Sequence, residues 1–244
     1  MKSLPHPSAT RLGRFLERFR HRPPLGFVRF GSFRRLRPIS SSWGSDRGDA
    51  IDRYYIEEFL SSHATDIHGH VMEVQSDDYM RKFGGSRITE SEVLHVVAGN
   101  PKATIVADLS APDLIPSNQF DCIVLTQTLQ MIYDVRAVVR NLHRILKPGG
   151  VVLMTSHGIS KLDLKWRDQW RMTSYSARRL FAEVFPDRSL EVQAHGNVLV
   201  AIASLHGLAY HELRKQELDF FDPAYEVLVT VRAVKPRIED QEPS

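Results

Sequence analysis

Three carboxylates in the middle of the chain stand where chemistry would use them. Glu73, Glu92 and Asp108 fall at or near the ends of strand-like stretches: VMEVQ over 71–75, RITESE over 87–92, and ATIVA just before Asp108. The two oxygens of an ionised carboxylate can accept both hydroxyl hydrogens of a ribose. Glu92 follows Glu73 by 19 residues, close to the interval of roughly 20 at which nucleotide-binding βαβ units place such an acid. Plainer roles stand beside these: Glu92 as a solvated strand-edge carboxylate, and Asp108 as the cap of a turn before Pro112. His157, in Thr155-Ser156-His157-Gly158, is the candidate general base toward a hydroxyl, or else a structural loop histidine. Trp166, Trp170 and Tyr175 follow and suit either the wall of a sugar-sized pocket or a core. His63, His68 and His70 lie close in sequence, but no carboxylate joins them in a fixed geometry and no metal is expected. Cys122 is the single cysteine. That excludes an intramolecular disulfide framework and a cysteine-based zinc site, and its mid-strand place suits a small core residue. No P-loop, serine nucleophile elbow or zinc-protease motif is present.

The elements that must position these residues alternate along the chain. Strand patterns at 71–75, 87–97, 103–107, 120–126, 151–155, 190–194 and 225–234 are interleaved with helical patterns at 78–83, 135–146 and 176–185. Residues 197–208 are apolar enough for helix or strand and are read as helix. Ile51–Ser61 is a further helix with Ile51, Tyr54, Tyr55 and Phe59 on one face. Phe120–Thr126, FDCIVLT, is apolar almost throughout, as a strand covered on both faces must be. Over 135–146, Val135, Val138, Val139, Leu142, Ile145 and Leu146 share one side, and Lys147-Pro148-Gly149-Gly150 is read as a stop and turn. The alternation predicts an α/β, Rossmann-like doubly wound fold: a mostly parallel sheet with helices on both faces and a mixed edge made by the late strands. The interval from Glu92 to the next strand is too short for a helix.

Charge divides the chain. Residues 1–40 hold ten Lys/Arg and one acid, Glu17, whereas the remaining residues hold 22 bases and 28 acids. Over 10–20, Leu12, Phe15, Leu16 and Phe19 recur at helical spacing between Arg11, Arg14 and Arg18. Such a segment packs on its own domain, lies on an anionic membrane surface, or belongs to an organelle-targeting leader; no long apolar core marks a secretory signal. No stretch approaches the roughly 18–20 apolar residues of a membrane span. A nucleic-acid enzyme more often spreads positive charge over its catalytic body, so nucleic acid is the least favoured partner. The organisation expected is a basic arm over 1–45, partly helical or disordered, a domain over 46–236 and a disordered tail over 237–244. The expected location is cytoplasmic, with a peripheral membrane contact through residues 10–37 left open. Oligomeric state is not legible.

The segment FDCIVLTQTLQMIYDVRAVVRNLHRILKPGGVVLMT, 120–155, resembles the fourth and fifth strands and intervening helix of class I S-adenosylmethionine-dependent methyltransferases, especially the type 11 group. WGSDRGDAIDRYYIEEFL resembles the lead-in of methyltransferase-domain proteins associated with glycosyltransferase genes. The likeness is clear over 71–155 and looser over 46–236. It implies S-adenosylmethionine as cofactor, with Glu73 toward the methionine ammonium, Glu92 on the ribose, Asp108 on the adenine amino group and Leu109 against the ring. It places Thr126 and Gln127 along the methyl-transfer channel. Gln75 and Asp77 stand where the family has glycines. The function this implies is methyl transfer to a small molecule or glycan acceptor. The alternative is a non-catalytic scaffold or partner-binding module with a degenerate cofactor loop.

Overall fold

The structure, a computed structural model, describes residues 23–112 and 114–237. The chain divides into two compact units, 1–37 and 38–244. In the first, the described residues form one short 3-10 turn, Gly31–Phe33, and Leu25, Phe27, Phe30 and Leu36 are exposed. The amphipathic helix expected over 10–20 and the tail beyond Arg237 lie outside the described residues.

The second unit runs α1 (Ile51–Ser62), β1 (Gly69–Val74), β2 (Ile88–His95), β3 (Ile105–Val106), β4 (Phe120–Thr126), α2 (Val135–Ile145), β5 (Leu146–His157), α3 (Ser174–Phe181), β6 (Leu190–His195), α4 (Val198–Leu205), α5 (Lys215–Asp219) and β7 (Leu228–Val234). The strand order is β3-β2-β1-β4-β5-β7-β6. Strands β1 to β5 pair in parallel, and β7 runs antiparallel to both β5 and β6. This is the doubly wound sheet with a mixed edge.

Two cores explain the near-continuous apolar run of β4. Ile123 and Leu125 face one side, with Met72, Val152, Leu142 and Phe181. Cys122 and Val124 face the other, with Val71, Leu153, Tyr55, Leu60 and Val200. Caps set the helix starts: Asp134 accepts from the Ala137 amide at 2.9 Å. Asn197 accepts from the amides of Leu199 and Val200, which settles that segment as helix, since a capped start satisfies amides a strand would leave for a neighbour.

Several local expectations change. Residues 78–83 are helical as expected but irregular: Asp78 and Tyr79 are α-helical and Met80–Gly84 make one π-helical turn. Lys147-Pro148-Gly149-Gly150 is not a separate turn but the opening of β5, with a register shift between Phe120 and Cys122 on β4. Lys147 reaches Asp121 at 2.7 Å there. No described helix is long and apolar enough to cross a membrane.

Leu142 is fully buried, whereas Arg140 on the same helix is exposed. Leu142→Ala is expected to cost about 2–5 kcal/mol in urea unfolding and Arg140→Ala less than about 0.5 kcal/mol. Equal losses would contradict the packing described.

Candidate active site

β1 and β4 are neighbours, but β1 leads on to β2 at one side and β4 to β5 at the other. The connections leaving their carboxyl ends therefore diverge and open a crevice. A cleft of about 460 Å³ lies there. Val74 and Gln75 line it from the end of β1, Leu94, His95 and Val96 from β2, and Ala107, Asp108, Leu109 and Ser110 from the end of β3. Gln127 and Thr128 follow β4, and Met131, Ile132, Tyr133, Asp134 and Trp166 complete the wall. Its charged lining groups are Asp108 and Asp134; among the described residues no lysine or arginine lines it.

Of the residues singled out in the sequence, Gln75, Asp108, Leu109, Gln127 and Trp166 meet at this cleft. Asp108 also caps its own turn, accepting from the Ser110 amide at 2.8 Å and hydroxyl at 2.7 Å. Thr126 ends β4 opposite Thr155 and is not part of the lining.

Glu73 and Glu92 stand elsewhere. Glu73 is 1% exposed and turns to the other face of the sheet, where Val71 and Val93 are buried. There its carboxylate accepts from the Tyr79 amide at 3.2 Å and the Met80 amide at 2.7 Å. It organises the π-helical turn and is not among the residues that line the cleft. Burial pushes its carboxyl up to about 7, against the opposing pull of the Met80 and Tyr79 amides. Glu92 pairs in register with Met72, below the end of β2, and its side chain lies 3.9 Å from the His70 ring. β2 continues past it because Val93 and Leu94 are apolar and pair with Glu73 and Val74. The side chain at the strand's end is His95. In the shorter of its contacts with Val97, His95 Nδ1 lies 2.8 Å from the carbonyl oxygen.

The loop after β1 takes a glycine-like path without glycine. Gln75 has φ +76°, the left-handed region that costs an ordinary residue roughly 1–2 kcal/mol. Its amide donates to the Leu94 carbonyl at 2.9 Å and its carbonyl accepts from Asn100 at 2.7 Å. Lys102 bridges Asp77 at 2.8 Å and Asp78 at 2.9 Å, and Arg81 also pairs with Asp77. These cations hold Asp77 down to about 2. The β1 loop and the loop before β3 are thus tied together as one rim.

A second recess, about 170 Å³, shares Gln127 and Met131 with the cleft. His157 lies here with Trp43, Asp52, Gln130, Lys161, Asp163 and Asp168. His157 Nε2 is 3.8 Å from Asp52, beyond direct hydrogen-bond reach. Burial lowers the imidazole below its ordinary value, outweighing the nearby Asp52 charge, so the ring is neutral at physiological pH. Asp52, on α1, and Trp43 lie within the WGSDRGDAIDRYYIEEFL segment but were not singled out as site residues; the fold carries them beside His157. Conversely, the aromatic wall expected after His157 is dispersed. Trp166 faces His95 at the cleft, Trp170 stacks on Tyr133, and Tyr175 is exposed.

Between the cavities runs a polar chain. The Ser156 hydroxyl donates to Gln130 Oε1 at 3.1 Å, and Gln130 Nε2 donates to Gln127 Oε1 at 3.0 Å. Gln127 Nε2 is buried and has no hydrogen-bond partner among the described residues.

A family model described as a methyltransferase domain matches residues 36–199. No curated protein matches the chain by sequence. Among solved structures, the chain is similar to Haemonchus contortus phosphoethanolamine N-methyltransferase 2, in complex with phosphomonomethylethanolamine and S-adenosylhomocysteine. That likeness has 14% identity and a TM-score of 0.50 over 77% of this chain and 57% of that one, so the chain spans little more than half of that protein's length. A SAM dependent methyltransferase from Archaeoglobus fulgidus gives 9% identity and a TM-score of 0.51 over 75% and 94% of the two chains. The N-methyltransferase NodS from Bradyrhizobium japonicum WM9, in complex with S-adenosyl-L-homocysteine, gives 13% and 0.50 over 82% and 95%. At these identities the likeness is one of fold.

The raised carboxyl of Glu73 has a measurable consequence. From its ordinary 4.5 up to about 7, the folded protein holds a proton that the unfolded chain has released. Its contribution is therefore complete below the lower value and is lost as pH rises through the higher one. Glu73→Gln is expected to remove this component, flattening stability against pH in that window. Parallel pH profiles for the two proteins in urea unfolding would refute the assignment.

Proposed function

The chain belongs to the methyltransferase-domain family, and on that premise we propose that the cleft beyond β1–β4 holds S-adenosylmethionine and that the recess around His157 holds a small-molecule or glycan acceptor. The observation that carries this is the cleft at the reversal of strand order, with apolar walls, two carboxylates and no lysine or arginine among its described lining residues. Such a lining tolerates a positively charged sulfur and flanks a flat base. Asp108 would accept from the nucleoside, Leu109 and Ile132 would pack on the ring, and His95 would take the ribose hydroxyl that an acid was expected to hold.

When bound, S-adenosylmethionine supplies an already activated methyl group, so alignment of the acceptor is the larger part of what the protein must provide. His157, neutral and lining the recess, is poised to accept a proton. Asp52, 3.8 Å away, would stabilise the imidazolium that forms. One observation favours the non-catalytic reading: Gln75, standing in for glycine, lines the cleft with a full side chain.

Calorimetry of the whole chain with S-adenosylhomocysteine separates the two. Saturable binding is expected, weakened about tenfold in Asp108→Ala by loss of a hydrogen bond of about 1.4 kcal/mol. It should tighten in Gln75→Gly, which removes both the side chain and the left-handed strain. No heat and no thermal shift at millimolar ligand would favour the scaffold, and an unchanged affinity in Asp108→Ala would overturn the placement of the nucleoside.

A further inference from the structure

Resting on the recess as the acceptor site, we propose that the methylated group is a hydroxyl, its oxygen held between the side-chain amide of Gln127 and the imidazole of His157. The argument begins with direction. Ser156 and Gln130 are buried, and each bond of the Ser156–Gln130–Gln127 chain ends on an amide oxygen. Both carboxamides are thereby fixed in orientation, and the N–H group of Gln127 is the end of the relay, without a partner among the described residues. The backbone holds it in place: Gln127 has φ +47° and its amide donates to the Thr155 carbonyl at 3.0 Å. A buried donor left unsatisfied is unfavourable, and a ligand oxygen arriving at the shared wall of cleft and recess relieves it.

His157 supplies the complement. A neutral imidazole has one N–H and one lone pair, and its Nε2 lies 3.8 Å from Asp52, beyond a direct hydrogen bond. Gln127 and His157 both line the recess, one ending in a buried unpartnered N–H donor and the other carrying a proton acceptor. A hydroxyl satisfies both at a single atom, giving its hydrogen to His157 and accepting from Gln127. A protonated amine has no lone pair and meets the Gln127 N–H groups donor to donor. The recess carboxylates that would attract it are already engaged: Asp168 with Arg171 at 2.9 Å, Asp163 with the amides of Lys165 and Trp166 at 2.8 and 3.0 Å, and Asp52 with the Arg53 amide at 3.0 Å. As the oxygen bonds the methyl carbon, the carbon–sulfur electron pair stays with sulfur and the hydroxyl proton passes to His157. A recess of about 170 Å³ admits one small ring or short chain, smaller than a usual drug-sized site.

The test uses the whole chain saturated with S-adenosylhomocysteine, with cyclohexanol and cyclohexylamine, an ammonium at pH near 7, as matched probes. Side-chain amide NMR reads the site without turnover. Cyclohexanol is expected to move the Gln127 side-chain signals and cyclohexylammonium to leave them in place. Gln127→Met should weaken cyclohexanol about tenfold, and Gln127→Glu, which replaces the donor by an acceptor, should reverse the preference toward the ammonium. Equal binding of both probes, no binding of cyclohexanol to the saturated protein, or an unchanged preference in Gln127→Glu would overturn the proposal. The wild-type comparison stands if either variant fails to fold. Failure of S-adenosylhomocysteine itself to bind is a separate result, which overturns the cofactor reading first and the acceptor proposal with it.

Discussion

The parallel pairing of β1 with β4 is the constraint on which the site depends. Val71, Met72 and Glu73 align with Cys122, Ile123 and Val124, joining two halves whose onward connections travel in opposite directions. No side chain needs to be placed for a crevice to appear there; it follows from the order of strands and the right-handedness of their crossovers. Residues at the carboxyl ends of four strands then become neighbours although they lie far apart in sequence. The same pairing sets the two faces of the sheet, because the period-two alternation that sends Ile123 to one core sends Val124 to the other.

Within that frame, backbone shape is preserved where side-chain identity is not. Gln75 adopts the left-handed turn usual for glycine, and the strain is offset by contacts from the facing loop, Asn100 to its carbonyl and Lys102 to Asp77 and Asp78. Glu73 shows the same substitution of means: a buried carboxylate holds the turn after β1 by accepting two amides, work that lies behind the cleft wall rather than in it. Buried polar groups thus divide between those that shape the wall and those, such as Gln127, that end at it.

How much of this was legible depended on whether the signal was local. FDCIVLT shows as a buried strand because both of its faces are covered, and the helix over 135–146 shows because its apolar face recurs at helical spacing; both were found within one residue of their observed bounds. Asp108 and Gln127 were located because they directly follow such runs. Glu92 was misplaced relative to the cleft because interval counting assumes a full helix between the first two strands. Here a π-helical turn and the 3-10 turn Gly85–Arg87 intervene, and β2 runs on to His95. The short helix Lys215–Asp219 carries too few apolar positions to show a period, and its capping glutamate, Glu217, was the one available sign. Asp52 and Trp43 belong to a segment recognised in the sequence, WGSDRGDAIDRYYIEEFL, but their place beside His157 comes from tertiary packing.

The central claim is that the crevice at the strand-order reversal is shaped for an adenosyl group. A crystal structure of the chain grown with S-adenosylhomocysteine tests it most directly. The account predicts a nucleoside bounded by Gln75, His95, Asp108 and Leu109, with its sulfur toward Gln127. A nucleoside seated elsewhere, or the 75–78 segment folded into the crevice in its place, would contradict it.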